Sequence, residues 1–235
     1  MSTTETVEKD QQTNTAEKVA EVSQQEAPQE QPESIFKDKK HFPIFPTNLF
    51  EFLFKGDLEE KMKKCLPALG KLVETDEPNW VTRPDLNTLE DYKDAASLFS
   101  EGAVEVLGFS GVNYDELLIT SLKAFRFTKP ELVPVQKRAN NLLSGIFFLK
   151  TDESNSGIIT FFAPRPQAWM LKPPISKANI FNSDAFSVEF TENKLLIFPA
   201  WLEYQIAFKQ DMGENIFFTW TAMVRGGQPK QQPSK

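Results

Sequence analysis

Lys194-Leu195-Leu196-Ile197-Phe198 is an apolar run of strand length, entered through Glu192-Asn193 and closed by Pro199. A run of this length with turn residues at its ends reads as a β-strand. Working outward, the same pattern repeats. Leu143 to Leu149, Gly157 to Ala163, Phe186 to Phe190, Tyr204 to Phe208 and Ile216 to Val224 are short β-rich runs. The breaks between them are Asp152-Glu153-Ser154-Asn155-Ser156-Gly157, a long proline-containing loop from Pro164 to Asp184, and Gln210-Asp211-Met212-Gly213. Several short strands at this spacing suggest a sandwich or barrel, and a jelly roll is a good candidate.

Upstream the period changes. Between Ile44 and Phe127 the pattern reads as mainly helical, with three starts that carry an Asx residue and a glutamate three positions on: Asp57 with Glu60, Asn87 with Glu90, and Asn113 with Glu116. Leu58, Met62, Cys65, Leu66 and Leu69 follow the first at helical spacing, and Pro67 is expected to kink or shorten that helix. Leu89, Tyr92, Ala95, Ala96, Phe99 and Ala103 form a second stripe. Cys65 on the first stripe reads as a core thiol rather than a reactive one.

The 235 residues suffice for one sizeable core with a helical annex. Twenty-one phenylalanines against 3 tyrosines predict a dry, well-packed core, because Phe brings apolar area without a polar handle. Of the net charge of -7, residues 1–33 carry eight acidic residues against two lysines, while the remainder is nearly neutral. Neither part has the basic surplus of a nucleic-acid binder. The single cysteine excludes an internal disulfide. No secretory signal is recognisable, and the longest apolar stretches are too short to cross a bilayer. The expectation is a soluble chain with no membrane or nucleic-acid partner. Residues 1–34, acidic and without an aromatic, are expected to be a disordered tail, either solubilising or folding on a partner. Residues 226–235 read as a short flexible C-terminal tail, leaving 35–225 as the folded domain, helical over about 50–127 and β over about 142–224.

Four segments carry a resemblance: Ile44-Phe45-Pro46-Thr47-Asn48-Leu49, Leu143-Ser144-Gly145-Ile146-Phe147-Phe148-Leu149, Gly157 to Ala163-Pro164-Arg165, and Leu195-Leu196-Ile197-Phe198-Pro199-Ala200-Trp201-Leu202. In order and spacing, over roughly residues 43–224, they resemble a group of small 2-oxoglutarate/Fe(II)-dependent oxygenases common in phages and marine bacteria. The resemblance implies an α+β chain: a double-stranded β-helix (jelly roll, cupin-like) with an N-terminal helical subdomain.

The resemblance also places a site. A His-x-His pair of iron ligands shortly before the Ser-Gly strand would fall on Gln136 and Arg138, and no histidine lies in that neighbourhood at any register. The last ligand histidine would fall on Tyr204, and the arginine that holds 2-oxoglutarate near Asn215. The only histidine of the chain is His41, far from all of these and expected to be exposed. Two imidazoles and a carboxylate are the usual donors for non-haem iron. Glutamine is a poor ligand, and a guanidinium, always protonated, cannot ligate at all. Loss of the arginine removes the fork that matches a carboxylate.

The leading expectation is therefore a catalytically inactive, oxygenase-like structural or interaction module with no catalytic residue, no metal and no cofactor. It is expected to have a protein partner or to self-associate, in the cytoplasm of the producing cell or, if phage-encoded, in the virion. The alternative is a small-anion-binding module that uses the vacated cavity through Arg138; the weakest is an active dioxygenase with an unorthodox site. Arg138 is either such an anion anchor or an ordinary arginine at the cavity mouth, salt-bridged or facing solvent. Ser144 has no base beside it, and Ser-Gly at a strand start more often serves close packing. Asp152-Glu153 reads as a solvated turn. Trp169 and Trp201 read as barrel or lid packing, and an exposed tryptophan would mark an interface.

Overall fold

The computed structural model describes residues 45–227, except 55, 74, 76, 132, 152–156, 166–173, 178, 180, 181 and 211. The expectations for the acidic tail, His41, Asp152-Glu153, Trp169 and the C-terminal tail beyond Gly227 lie outside the described residues. In chain order the elements are β1 (Phe50–Leu53), α1 (Asp57–Lys63), α2 (Cys65–Leu72), β2 (Trp80–Val81), two short 3-10 turns at Leu86–Thr88 and Glu90–Tyr92, and α3 (Lys93–Phe109). They continue with β3 (Glu116–Phe127), β4 (Leu143–Lys150), β5 (Gly157–Phe162), β6 (Ala185–Glu189), β7 (Lys194–Pro199), β8 (Tyr204–Phe208) and β9 (Asn215–Arg225). No helix among the described residues is long and apolar enough to cross a membrane.

Two antiparallel sheets face each other as a double-stranded β-helix. The larger has the order β1-β7-β4-β9-β3-β2 and the smaller β6-β5-β8. The helices cover the outer face of the larger sheet, so its central strands are buried on both sides and read as unbroken apolar runs. Alternation then sorts the side chains. Leu195, Ile197, Phe147 and Leu149 join the core shared with the helices, while Leu196, Phe198, Ile146 and Phe148 join the core between the sheets. Both cores are rich in phenylalanine, as the composition predicts. Burying each such side chain contributes about 1.5–3 kcal/mol. Asn193 turns the chain from β6 into β7 with a φ of 62°, a left-handed conformation that asparagine tolerates better than most residues.

The six strand runs expected after Leu142 are all present, with ends within a residue or so. The helical part needs correction. Leu58, Met62, Cys65 and Leu69 do pack on one face. The first helix breaks at Lys64, between α1 and α2; Pro67 has no N–H and its ring opposes the carbonyl of Lys63. Asn87 caps no helix, since its Nδ2 donates to the Ile119 carbonyl at 3.0 Å. Asn113 and Glu116 start no helix either. Glu116 opens β3, the longest strand, paired with β9 from Glu116 opposite Arg225 to Phe127 opposite Asn215. Long-range pairing here overrides a local capping signal. A bulge between Ile119 and Ser121 breaks the two-residue alternation that would have marked the strand.

Candidate functional site

The face of the larger sheet that looks inward changes character along its length. Across β4, β9 and β3 one row of paired residues is Phe148, Phe217 and Phe125. The next is Ile146, Thr219 and Lys123, and the next is Ser144, Thr221 and Ser121. The aromatic row is packed solid: Phe217 stacks on Phe125 at 5.3 Å and meets Phe190 edge-on at 6.0 Å. Over the two polar rows lies a cavity of about 250 Å³. Its remaining walls come from Arg138 and Asn141 in the β3–β4 connection, Tyr204 at the start of β8, Pro84 and Trp220.

Three of the four positions singled out from sequence converge here. Gln136 and Tyr204 form an isolated antiparallel bridge, with backbone bonds of 2.8 and 3.0 Å in the two directions. Arg138 N donates to the Ala200 carbonyl at 2.7 Å, tying the segment to the turn after β7. On the side-chain side, Gln136 Oε1 accepts from Arg138 Nη2 at 2.8 Å and from Tyr204 Oη at 3.3 Å. Burial pushes the Tyr204 phenol above its ordinary range and outweighs the opposing pull of the Arg138 charge, so Tyr204 stays a protonated donor. Asn215 is not part of this cluster. It is fully buried beyond the aromatic row, its Nδ2 on the Gly213 carbonyl at 3.2 Å, about 13 Å along β9 from Thr219 at roughly 3.3 Å per residue.

Among the described residues the cavity lining holds two cations, Arg138 and Lys123, and no carboxylate. Among the described residues neither cation is paired with an acid, so the salt-bridge reading of Arg138 is excluded there. Ser144 Oγ is buried without a hydrogen-bond partner among the described residues. Asn141 Oδ1 is taken by the Thr120 hydroxyl at 2.5 Å, which leaves its amide N–H groups without a partner among the described residues. Such a lining is rich in donors and carries positive charge. It suits an anion and opposes a cation.

Ferrous iron does not fit these residues. The groups gathered here are a neutral amide, a guanidinium and a protonated phenol, and the nearest charges are positive. Among the described residues no three His, Cys, Asp or Glu side chains are grouped as a metal site.

Sequence reasoning missed Lys123, Ser121, Thr219, Thr221 and Asn141. The first two lie in the segment read as helix. Once β3 is recognised as a strand, its pairing with β9 puts Ser121 and Lys123 on one face with Thr221 and Thr219. In Ser144-Gly145 the two residues divide their roles: the serine lines the cavity, and the glycine makes room for Trp220. Trp201 is about half exposed and follows Ala200, whose carbonyl accepts from Arg138 N.

No protein-family model matches the sequence, and no curated protein matches it significantly. Solved structures do match the fold. HygX from Streptomyces hygroscopicus, with nickel and 2-oxoglutarate bound, aligns with a TM-score of 0.54 at 11% identity over 76% of this chain and 83% of its own. SnoN, a non-heme alpha-ketoglutarate-dependent epimerase from nogalamycin biosynthesis, gives 0.52 at 10% identity over 80% and 85%. A Pseudomonas putida prolyl-4-hydroxylase gives 0.51 at 10% identity over 76% and 94%. The chain has the double-stranded β-helix of 2-oxoglutarate/Fe(II) oxygenases.

These matches correct the expectation that the chain is not an enzyme. The structures that share its fold are enzymes, a hydroxylase and an epimerase among them. Departure from one iron triad concerns one metal site and is no measure of activity.

Proposed function

We propose that the working site of this protein is the cavity at the Gln136–Tyr204 bridge and that its ligand is a small organic anion, with Arg138 as the main recognition group. One observation carries the reading: a guanidinium held in place by Gln136 beside the cavity, with Lys123 on another wall and, among the described residues, no carboxylate to neutralise either. Partly buried cations left unpaired are costly, and a bound anion relieves that cost. A fork of N–H donors matches a carboxylate or phosphate in two-point geometry. The volume, on the order of eight waters at about 30 Å³ each, suits a small acid. The test is a thermal shift with 2-oxoglutarate, succinate, citrate and phosphate. Binding to the native state raises the melting temperature. No shift with any acid at millimolar concentration ends the proposal, and Arg138→Ala is expected to abolish whatever shift is seen.

A further inference from the structure

We propose that Asn141 is a second recognition residue of this cavity, giving its amide N–H groups to an oxygen of the bound molecule, and that Thr120 is the positioning residue that aims it. The proposal rests on the anion-binding reading above and adds these two residues to it. It starts from the irregularity in β3. Ile119 pairs with Ala222 and Ser121 with Thr221, so Thr120 is the extra residue of a β-bulge. Side chains alternate along a strand, so one inserted residue reverses the facing of all that follow. Beyond the bulge Leu122 and Ala124 enter the core shared with the helices, while Ser121 and Lys123 turn to the cavity.

The inserted residue carries the argument further. Thr120 Oγ1 lies 2.5 Å from Asn141 Oδ1, 2.8 Å from Thr221 Oγ1 and 3.1 Å from the Thr221 carbonyl. A hydroxyl has a single proton to give, and an amide oxygen can only accept. The Thr120 proton goes to the shorter contact, Asn141 Oδ1, and the Thr221 hydroxyl then donates to Thr120. The chain therefore runs one way, from Thr221 through Thr120 to Asn141. It decides which end of the amide is occupied: the oxygen is taken, and the N–H groups remain on a side chain that lines the cavity. Asn141 also closes a turn on Arg138, its N donating to the Arg138 carbonyl at 3.0 Å. Arg138 and Asn141 thus stand at the two ends of one turn and line the same cavity. Gln136 secures the first side chain and Thr120 the second. A donor fixed before the ligand arrives loses less freedom on binding.

Calorimetric titration of the full chain with 2-oxoglutarate, succinate, citrate and phosphate tests it, the tightest binder of the four serving for the variants. Asn141→Ala is expected to weaken that binding roughly five-fold, the worth of one hydrogen bond. Thr120→Val keeps the shape, removes the hydroxyl and is expected to weaken binding as much. Thr120→Ser keeps the hydroxyl and is expected to bind like the wild type. Placed on top of Asn141→Ala, Thr120→Val is expected to add nothing, because a residue that acts through Asn141 then has nothing to aim. Thr120→Ala replaces Thr120→Val should that variant not fold. Wild-type affinity in Asn141→Ala or in Thr120→Val overturns the proposal and leaves the anion site standing. So does a Thr120→Ser as weak as Thr120→Val, or an undiminished effect of Thr120→Val in the Asn141→Ala background. Absence of binding by all four overturns the anion site and this proposal together.

Discussion

Gln136 and Tyr204 are joined twice, by reciprocal backbone bonds of 2.8 and 3.0 Å and by a side-chain bond of 3.3 Å from Tyr204 Oη to Gln136 Oε1. The single amide oxygen also receives Arg138, so one acceptor organises both a phenol and a guanidinium. Tyr204→Phe removes only the longer side-chain bond and is expected to destabilise by about 0.5–1.5 kcal/mol. Gln136→Leu strands a buried phenol and a guanidinium together and is expected to cost more, about 1–3 kcal/mol. Urea unfolding of the two variants checks the order. If Gln136→Leu is the milder change, the amide is not the organising group.

Gly145 lies opposite Trp220, and a Cβ there would sit 2.2 Å from the indole Cε2. That indole is itself stacked on Phe99 at 5.6 Å, so it has little room to move. Gly145→Ala is expected to destabilise by about 1–3 kcal/mol through overpacking. Combining it with Trp220→Phe is expected to cost less than the sum of the two single changes. Such coupling is the signature of residues in direct contact, and strict additivity in a double-mutant cycle would refute the clash.

Much of the β-helix was legible because turn residues punctuate it. Asn193, Pro199 and the Gln210–Gly213 segment each mark a boundary that the strands respect. The convergence of Gln136, Arg138 and Tyr204 was legible only through resemblance, since no spacing rule brings residue 136 beside residue 204. β3 was not legible. Its start imitates a capped helix, its bulge at Thr120 breaks the alternation, and the pairing with β9 that creates it lies about a hundred residues away. Half of the cavity's polar floor was hidden with it. The scarcity of histidine was plain in the sequence, but the step from one histidine to a non-enzyme was unsound, because composition cannot say what else a cavity holds.

Cys65 is buried on the α2 face, and its Sγ lies 3.8 Å from the Asp91 carbonyl. Burial pushes its thiol up to about 11, with Asp94 and Asp91 adding to the effect. The thiolate is the reactive form, so iodoacetamide at pH 8 is expected to label the native protein far more slowly than the urea-unfolded chain. Mass spectrometry of the two reactions gives the comparison. Labelling of the folded chain at the rate of a free thiol would place Cys65 outside the core.

Glu214 accepts from Arg126 Nε at 2.6 Å and from Lys150 Nζ at 2.5 Å, bridging β3 and β4 just ahead of β9. Burial alone would raise its carboxyl, but hydrogen bonds from Lys150 and Arg126, and then their charges, outweigh it, so the group titrates below its ordinary value of 4.5. A carboxyl whose folded-state value is depressed stabilises the fold above its unfolded value, and that contribution disappears as pH falls through the folded one. Glu214→Gln is therefore expected to be destabilised at pH 7, by about 1 kcal/mol for two partly exposed pairs. The gap from the wild type should narrow progressively below pH 4.5, as the wild-type carboxyl takes up its proton. Urea midpoints of both proteins at pH 7, 4 and 3 measure the gap, and 1 M salt should shrink it at pH 7 by screening. A difference that stays constant from pH 7 to pH 3 would mean that the side chain acts through packing and not through its charge.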